Sequence, residues 1–273
     1  MRFYIIAALA VLLMGGCSKA EYGADTAYGS ISFFNASYTL NTFFPVSGGF
    51  DRKVELPLTP DGKLPVPLMG RGIPDFTPSA NYRRDFPGIN SLNEIPWTEF
   101  DHYTPGTYTA NMRLITADTA MVNQFAFPVT VEQDQQHTYL LSDSLGTFHV
   151  TTMKHAAGSA GKVRLRLVQL CPDADSVNMR IGSNLLTSMQ NLPYRSVSDY
   201  IDYPLTTDST LKLRLFNAGD TLNVIARADL AAQPGQSYMV ICWKYRQAHQ
   251  YTDKEGNTVN IVPGALLEVR RLE

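Results

Sequence analysis

The stretch VRLRLVQLCPDADSVNMRIG, residues 163 to 182, alternates apolar and charged side chains and then breaks at Cys171-Pro172-Asp173. Val163, Leu165 and Leu167 fall on one side of an extended chain, and Lys162, Arg164 and Arg166 on the other. A period of two is that of a strand with one face buried, whereas a helix would bring apolar residues together every three to four positions. Pro172 presets φ for the first corner of a turn, and a carboxylate such as that of Asp173 can bond its own backbone two residues on. The reading is therefore strand, turn, strand.

The same period recurs at Leu211, Leu213 and Leu215, set between Lys212 and Arg214, and at Leu267 and Val269 around Glu268. Turn-forming groups (PDAD, TTDS, NAGD, QPGQ, DKEGN) come at roughly the eight- to twelve-residue spacing of an all-β sandwich. No convincing amphipathic helix interrupts them. The order of segments also repeats. HTYLL (137–141) matches SYMVI (237–241), and IPWTEFDHY (95–103) matches LPYRSVSDY (192–200). LGTFHVTTMKH closes a first half as PGALLEVRRLE closes the chain, and SISFFNAS (30–37) parallels VRLRLVQLC (163–171). Two tandem units follow: residues 28–155 and 162–273, joined by a small, flexible linker at 156–161 within HAAGSAG. The first unit carries an insertion at about residues 45–96 with nine of the chain's 16 prolines. Proline cannot donate to a sheet ladder, so that insertion is expected outside the central strands, with an edge hairpin of its own.

The second unit resembles the bacterial domain-of-unknown-function family 4397. The likeness lies in the strand VRLRLVQL, the turn Pro172-Asp173-Ala174, the short strand SVNMRIG, the segment LPYRSVSDYIDYP, the strand through LKLRLFNAGDTL, and SYMVICW; it covers about residues 161 to 245. In the first unit Phe34-Asn35-Ala36-Ser37 keeps the pattern, but Tyr38-Thr39-Leu40 replaces the Pro-Asp-Ala turn. The resemblance implies two tandem immunoglobulin-like antiparallel β-sandwiches on a secreted or cell-surface protein. It implies no particular activity.

Residues 1–16 read as an export signal: Arg2, an apolar run from Tyr4 to Met14, then small residues before Cys17. Leu13-Met14-Gly15-Gly16-Cys17 resembles a bacterial lipobox, which implies cleavage before Cys17 and acylation of its thiol. Ser18 after the cysteine resembles the outer-membrane sorting pattern. Residues 17–27, small and polar, suit a tether. The expectation is a lipid-anchored envelope protein, in the outer membrane, with the membrane as one partner and an unknown protein or glycan as another. A net charge of −2, with charged residues only 18% of the chain, offers no basic field for nucleic acid.

Catalytic signatures are lacking in the sequence. There is no Gly-x-Ser-x-Gly elbow, no His-Glu-x-x-His and no phosphate-cradling glycine loop, and neither a cofactor nor a metal is expected. The histidines 102, 137, 149, 155 and 249 are scattered in polar settings where exposure is the default. Asp173 and Asp175 lack the further oxygen ligands of a calcium loop, so exchanging both for Asn should change stability little. Cys171 and Cys242 each close a strand of the second unit, and they are either a disulfide or two buried free thiols. Among the aromatics, Trp97, Tyr103 and Trp243 are candidates for a ligand platform, with core filling as the alternative use. The reading is a noncatalytic cell-envelope lipoprotein, a binding or structural module of a surface assembly. The alternative is a glycan-binding lipoprotein that uses aromatics of the first unit's insertion.

Overall fold

The computed structural model describes residues 27–39, 53–55, 58–60, 67–69, 100–115, 121–158, 160–205, 207–220, 222–253, 256 and 258–272. The signal, most of the tether, Cys17 and Trp97 lie outside these. The protein is all-β, as its turn spacing and alternation predict. In the first unit the strands are β1 (Gly29–Asn35), β2 (Lys53–Glu55), β3 (Leu58–Pro60), β4 (Pro67–Met69), β5 (Asp101–Tyr103), β6 (Gly106–Ile115), β7 (Met121–Val131), β8 (Gln136–Ser144) and β9 (Thr147–Lys154). The second unit has β10 (Lys162–Leu170), β11 (Ser176–Ile181), β12 (Asn184–Leu185), β13 (Leu192–Pro193), β14 (Ser196–Val197), β15 (Ile201–Pro204), β16 (Ser209–Asn217), β17 (Val224–Ala232), β18 (Ser237–Trp243), β19 (His249–Thr252), β20 (Thr258–Ile261) and β21 (Leu266–Leu272).

Each unit pairs two sheets of matching topology. In the first, β4-β5-β1-β8-β9 faces a sheet in which β6 lies between β7 and the short strands β2 and β3. In the second, β10, flanked by β14 and β15, continues through β18 to β21 and faces β12-β11-β16-β17. The sheets are not purely antiparallel: β1 runs parallel to β8, and β10 parallel to β18. Hairpins β6–β7 and β16–β17 both carry a register break, at Met112/Arg113 and at Leu215/Phe216. Among the described residues of the insertion, no two strands pair with each other. Its pieces β2 and β3 extend β6, and β4 extends β5, which keeps prolines 60 and 67 on edge strands.

Three apolar clusters build the interior. Ile31, Phe33, Met112, Val129 and Tyr139 fill the first sandwich, and Leu165, Leu167, Met179, Leu213 and Val240 fill the second. The third cluster joins the units: Phe34, Ala36, Leu140 and Met153 of the first pack on Val168, Leu170, Met239, Ile241, Trp243 and Leu272 of the second. Phe34 meets Trp243 edge to face at 5.6 Å between ring centres. Among the described residues, four of the five sheets thus form a stack, with the pair β19-β20 apart, and the two inner sheets are covered on both faces. That explains why β1 and β18 are buried at every position, and why the alternation of β10 gives way to continuous burial from Leu167 onward.

The join, expected to be loose, is tied down. His155 N donates to Gln136 O at 2.9 Å, Ala156 N to the Tyr200 hydroxyl at 3.2 Å, and Arg164 Nη1 to Ala157 O at 2.7 Å. Gly158 lies against Gly235, whose carbonyl a side chain at 158 would strike. Arg166 Nη1 donates to Lys154 O at 2.9 Å across the same seam.

Candidate functional site

The Cys171–Asp175 loop turns as its sequence predicts, with Ala174 N donating to Cys171 O at 3.3 Å. Its carboxylate does other work. Asp173 reaches the segment after β18: Oδ1 accepts from Arg246 N (2.8 Å) and Cys171 Sγ (3.2 Å), and Oδ2 from Gln247 N (2.7 Å), with His249 Nε2 at 3.0 Å. Burial acts to raise this carboxyl, but the Arg246 and Gln247 amides and the His249 ring outweigh it and hold Asp173 below the usual carboxylate range. Asp175 is exposed. Among the described residues no three His, Cys, Asp or Glu side chains gather as a metal group.

Cys171 and Cys242 end up at one end of the second sandwich because β10 and β18 run parallel. Both are buried free thiols. Hydrogen bonding with Cys242 and burial push the Cys171 thiol far up, so its sulfur is not a poised nucleophile.

Of the candidate platform residues, Trp97 lies outside the described residues, and Tyr103 and Trp243 are buried. Tyr103 lies inside the first sandwich against Tyr108, and Trp243 is sealed between the units with only 2% of its surface exposed. Each is positioned by a strand face that points into a core. The histidines depart from the expected exposure as well. His137 is buried on β8, and His155 is mostly buried beside Phe100, with burial bringing its pKa down to about 3. Two-sided burial of the inner sheets, invisible in a one-sided strand pattern, accounts for Trp243.

At one end of the stack, polar side chains tie the units together. Asp143, buried at the end of β8, accepts from Ser37 Oγ (2.6 Å), Thr39 N (3.1 Å), Thr39 Oγ1 (2.8 Å) and Gly146 N (3.2 Å). The second unit closes over it: Leu145 N donates to the Tyr245 hydroxyl at 2.7 Å, Thr39 Oγ1 and the Tyr251 hydroxyl are 2.6 Å apart, and Val262 N donates to the Tyr38 hydroxyl at 2.9 Å. Sequence reasoning missed Asp143, Tyr38 and Tyr245 as a set, because no spacing marks residues brought together from both units.

The opposite end opens into a cleft of about 640 Å³. Tyr28, Ser30, His102, Asp134, Gln136 and His155 line it, together with the apolar side chains of Ala156 and Leu272. Backbone pairing places these groups. Ser30 N donates to Gln135 O (2.8 Å) and Asp134 N to Tyr28 O (2.9 Å), while β5 beside β1 sets His102 Nδ1 2.8 Å from Ser30 Oγ. Below it, Ser32 Oγ and Thr138 Oγ1 are 2.7 Å apart, and His155 Nε2 is 2.7 Å from the same Thr138 hydroxyl. The first unit, the join and Leu272 of the second all contribute, so the cleft exists only in the stacked molecule.

No family model matches the chain, and no curated protein matches it. Among solved structures, a leucine-rich repeat protein from Bacteroides thetaiotaomicron aligns with 88% of this chain and 25% of its own, at 11% identity and a TM-score of 0.22. This chain therefore spans about a quarter of that protein's length. A candidate cell adhesion protein from Bacteroides fragilis aligns over 90% of this chain and 97% of its own, at 11% identity and a TM-score of 0.18. Overlap this poor carries no argument about function.

Proposed function

We propose that this protein is a noncatalytic cell-envelope lipoprotein, anchored in the outer membrane through an acylated Cys17, whose two fused sandwiches act as a binding or structural module of a surface assembly. Its second unit, in this reading, is a relative of domain-of-unknown-function family 4397. The observation that carries the proposal is the use made of the reactive side chains. The carboxylates of Asp143 and Asp173 are engaged by several donors each, and both thiols of the second unit are buried. Groups held this way support a shape rather than a reaction. Lipid chains contribute about 0.8 kcal/mol per buried methylene, so a multiply acylated cysteine retains a protein at a membrane with no spanning helix.

The test is metabolic labelling with a palmitate analogue, followed by native electrophoresis of detergent-solubilised envelopes. The wild type should carry label and migrate in a species larger than the chain alone, and Cys17→Ser should lose the label and leave the membrane fraction. An unlabelled wild type, or one that migrates only as the isolated chain, contradicts the proposal.

A further inference from the structure

We propose that the cleft at the seam of the two units binds a neutral saccharide. Its size falls in the range of small-molecule sites, and like many of these it forms where two units meet. The lining chemistry selects the ligand class. No lysine or arginine is among the described lining residues, and Asp134 adds a negative charge, so the lining itself offers phosphate and carboxylate ligands little counter-charge. Polar and apolar surface share the lining almost equally, which suits a ligand with both kinds of face rather than a lipid chain. What the cleft offers is a set of polar groups that donate and accept: the Gln136 carboxamide, and the Ser30 hydroxyl and His102 imidazole, which lie 2.8 Å apart. Hydroxyl and carboxamide both donate and accept, and an imidazole does either by tautomer, as sugar hydroxyls require. Tyr28 completes the set. Its ring, set edge-on to His102 at 4.6 Å between centres, is 41% exposed, an apolar face with a polar tip, suited to lie against a pyranose.

Neither Tyr103 nor Trp243 is among its lining residues, and it does not depend on acylation at Cys17. Because Leu272 and the join form part of the wall, the site also gives the stacking of the units a purpose beyond stability.

The experiment is calorimetric titration of the full chain in detergent with maltose, cellobiose, lactose and N,N′-diacetylchitobiose, with glutamate and putrescine as charged comparators of modest size. At least one disaccharide should bind saturably. Tyr28→Ala and Gln136→Ala should each weaken that binding about tenfold or more, while both variants melt near the wild-type temperature, since both side chains sit at the rim of the fold. The proposal is overturned if no disaccharide binds, if both variants bind as well as the wild type, or if glutamate or putrescine occupies the site in place of the sugars.

Discussion

Asp173 shows how a residue can be recognised by its local role and misjudged in its energetic one. Pro172-Asp173 does form a turn, yet the carboxylate spans more than seventy positions to hold Arg246, Gln247 and His249. Asp173→Asn puts an amide donor where a backbone N–H already points, so it should cost about 1–3 kcal/mol in chemical denaturation, against a few tenths for Asp175→Asn. This reverses the expectation that neither exchange matters. Stability should also fall with acidification through His155. The unfolded imidazole takes up its proton near pH 6.5 and the folded one only near 3, so between those values the unfolded state binds more protons and folding weakens as pH drops. Denaturation midpoints from pH 7 to 4 should therefore decline less in His155→Gln than in the wild type. An equal decline would place the acid sensitivity elsewhere. Neither property was legible in the sequence, because both depend on partners supplied by distant strands.

Strands were the most legible part of the chain where their two faces differ. Lys162 to Leu167 announces itself by alternating charge, and β10 begins there. Strands buried on both faces carry no such signal, and so the inner character of β1, β8 and β18 went unread. The repeat was legible to within one residue. HTYLL was set against SYMVI, but the cores place Tyr139 opposite Tyr238, each inside its own sandwich, with Leu140 and Met239 both on the shared face. A slip of one position exchanges the two faces of a strand, so the cores fix what similarity alone left off by one. Both tyrosines tie back toward the preceding hairpin: the Tyr139 hydroxyl donates to Thr130 O of β7 at 2.8 Å, and the Tyr238 hydroxyl accepts from Gln233 N, just past β17, at 3.1 Å. Tyr139→Phe and Tyr238→Phe should each lose about 1 kcal/mol in equilibrium unfolding, the usual net worth of a buried hydrogen bond. A loss confined to one of them would mean that the two ties are not equivalent.

At the scale of the whole molecule, the repeated order of segments led to the expectation of two tandem units, but nothing in it pointed to the stacking of the sheets through a third apolar cluster. The apolar residues that form the seam, Phe34, Leu140, Met239 and Ile241, look like ordinary core residues of separate sandwiches until the topology assigns them to the outer side of each. Inter-domain contacts are commonly polar and permit relative motion, whereas an apolar seam with a sealed tryptophan couples its two sides. Differential scanning calorimetry of the full chain, wild type beside Ile241→Glu, tests that coupling most directly. A charge buried in the seam removes stability from both units, so one cooperative transition is predicted for the wild type, with the transitions of both units lowered in the variant. Two wild-type transitions, one of them unmoved by Ile241→Glu, would contradict a shared core.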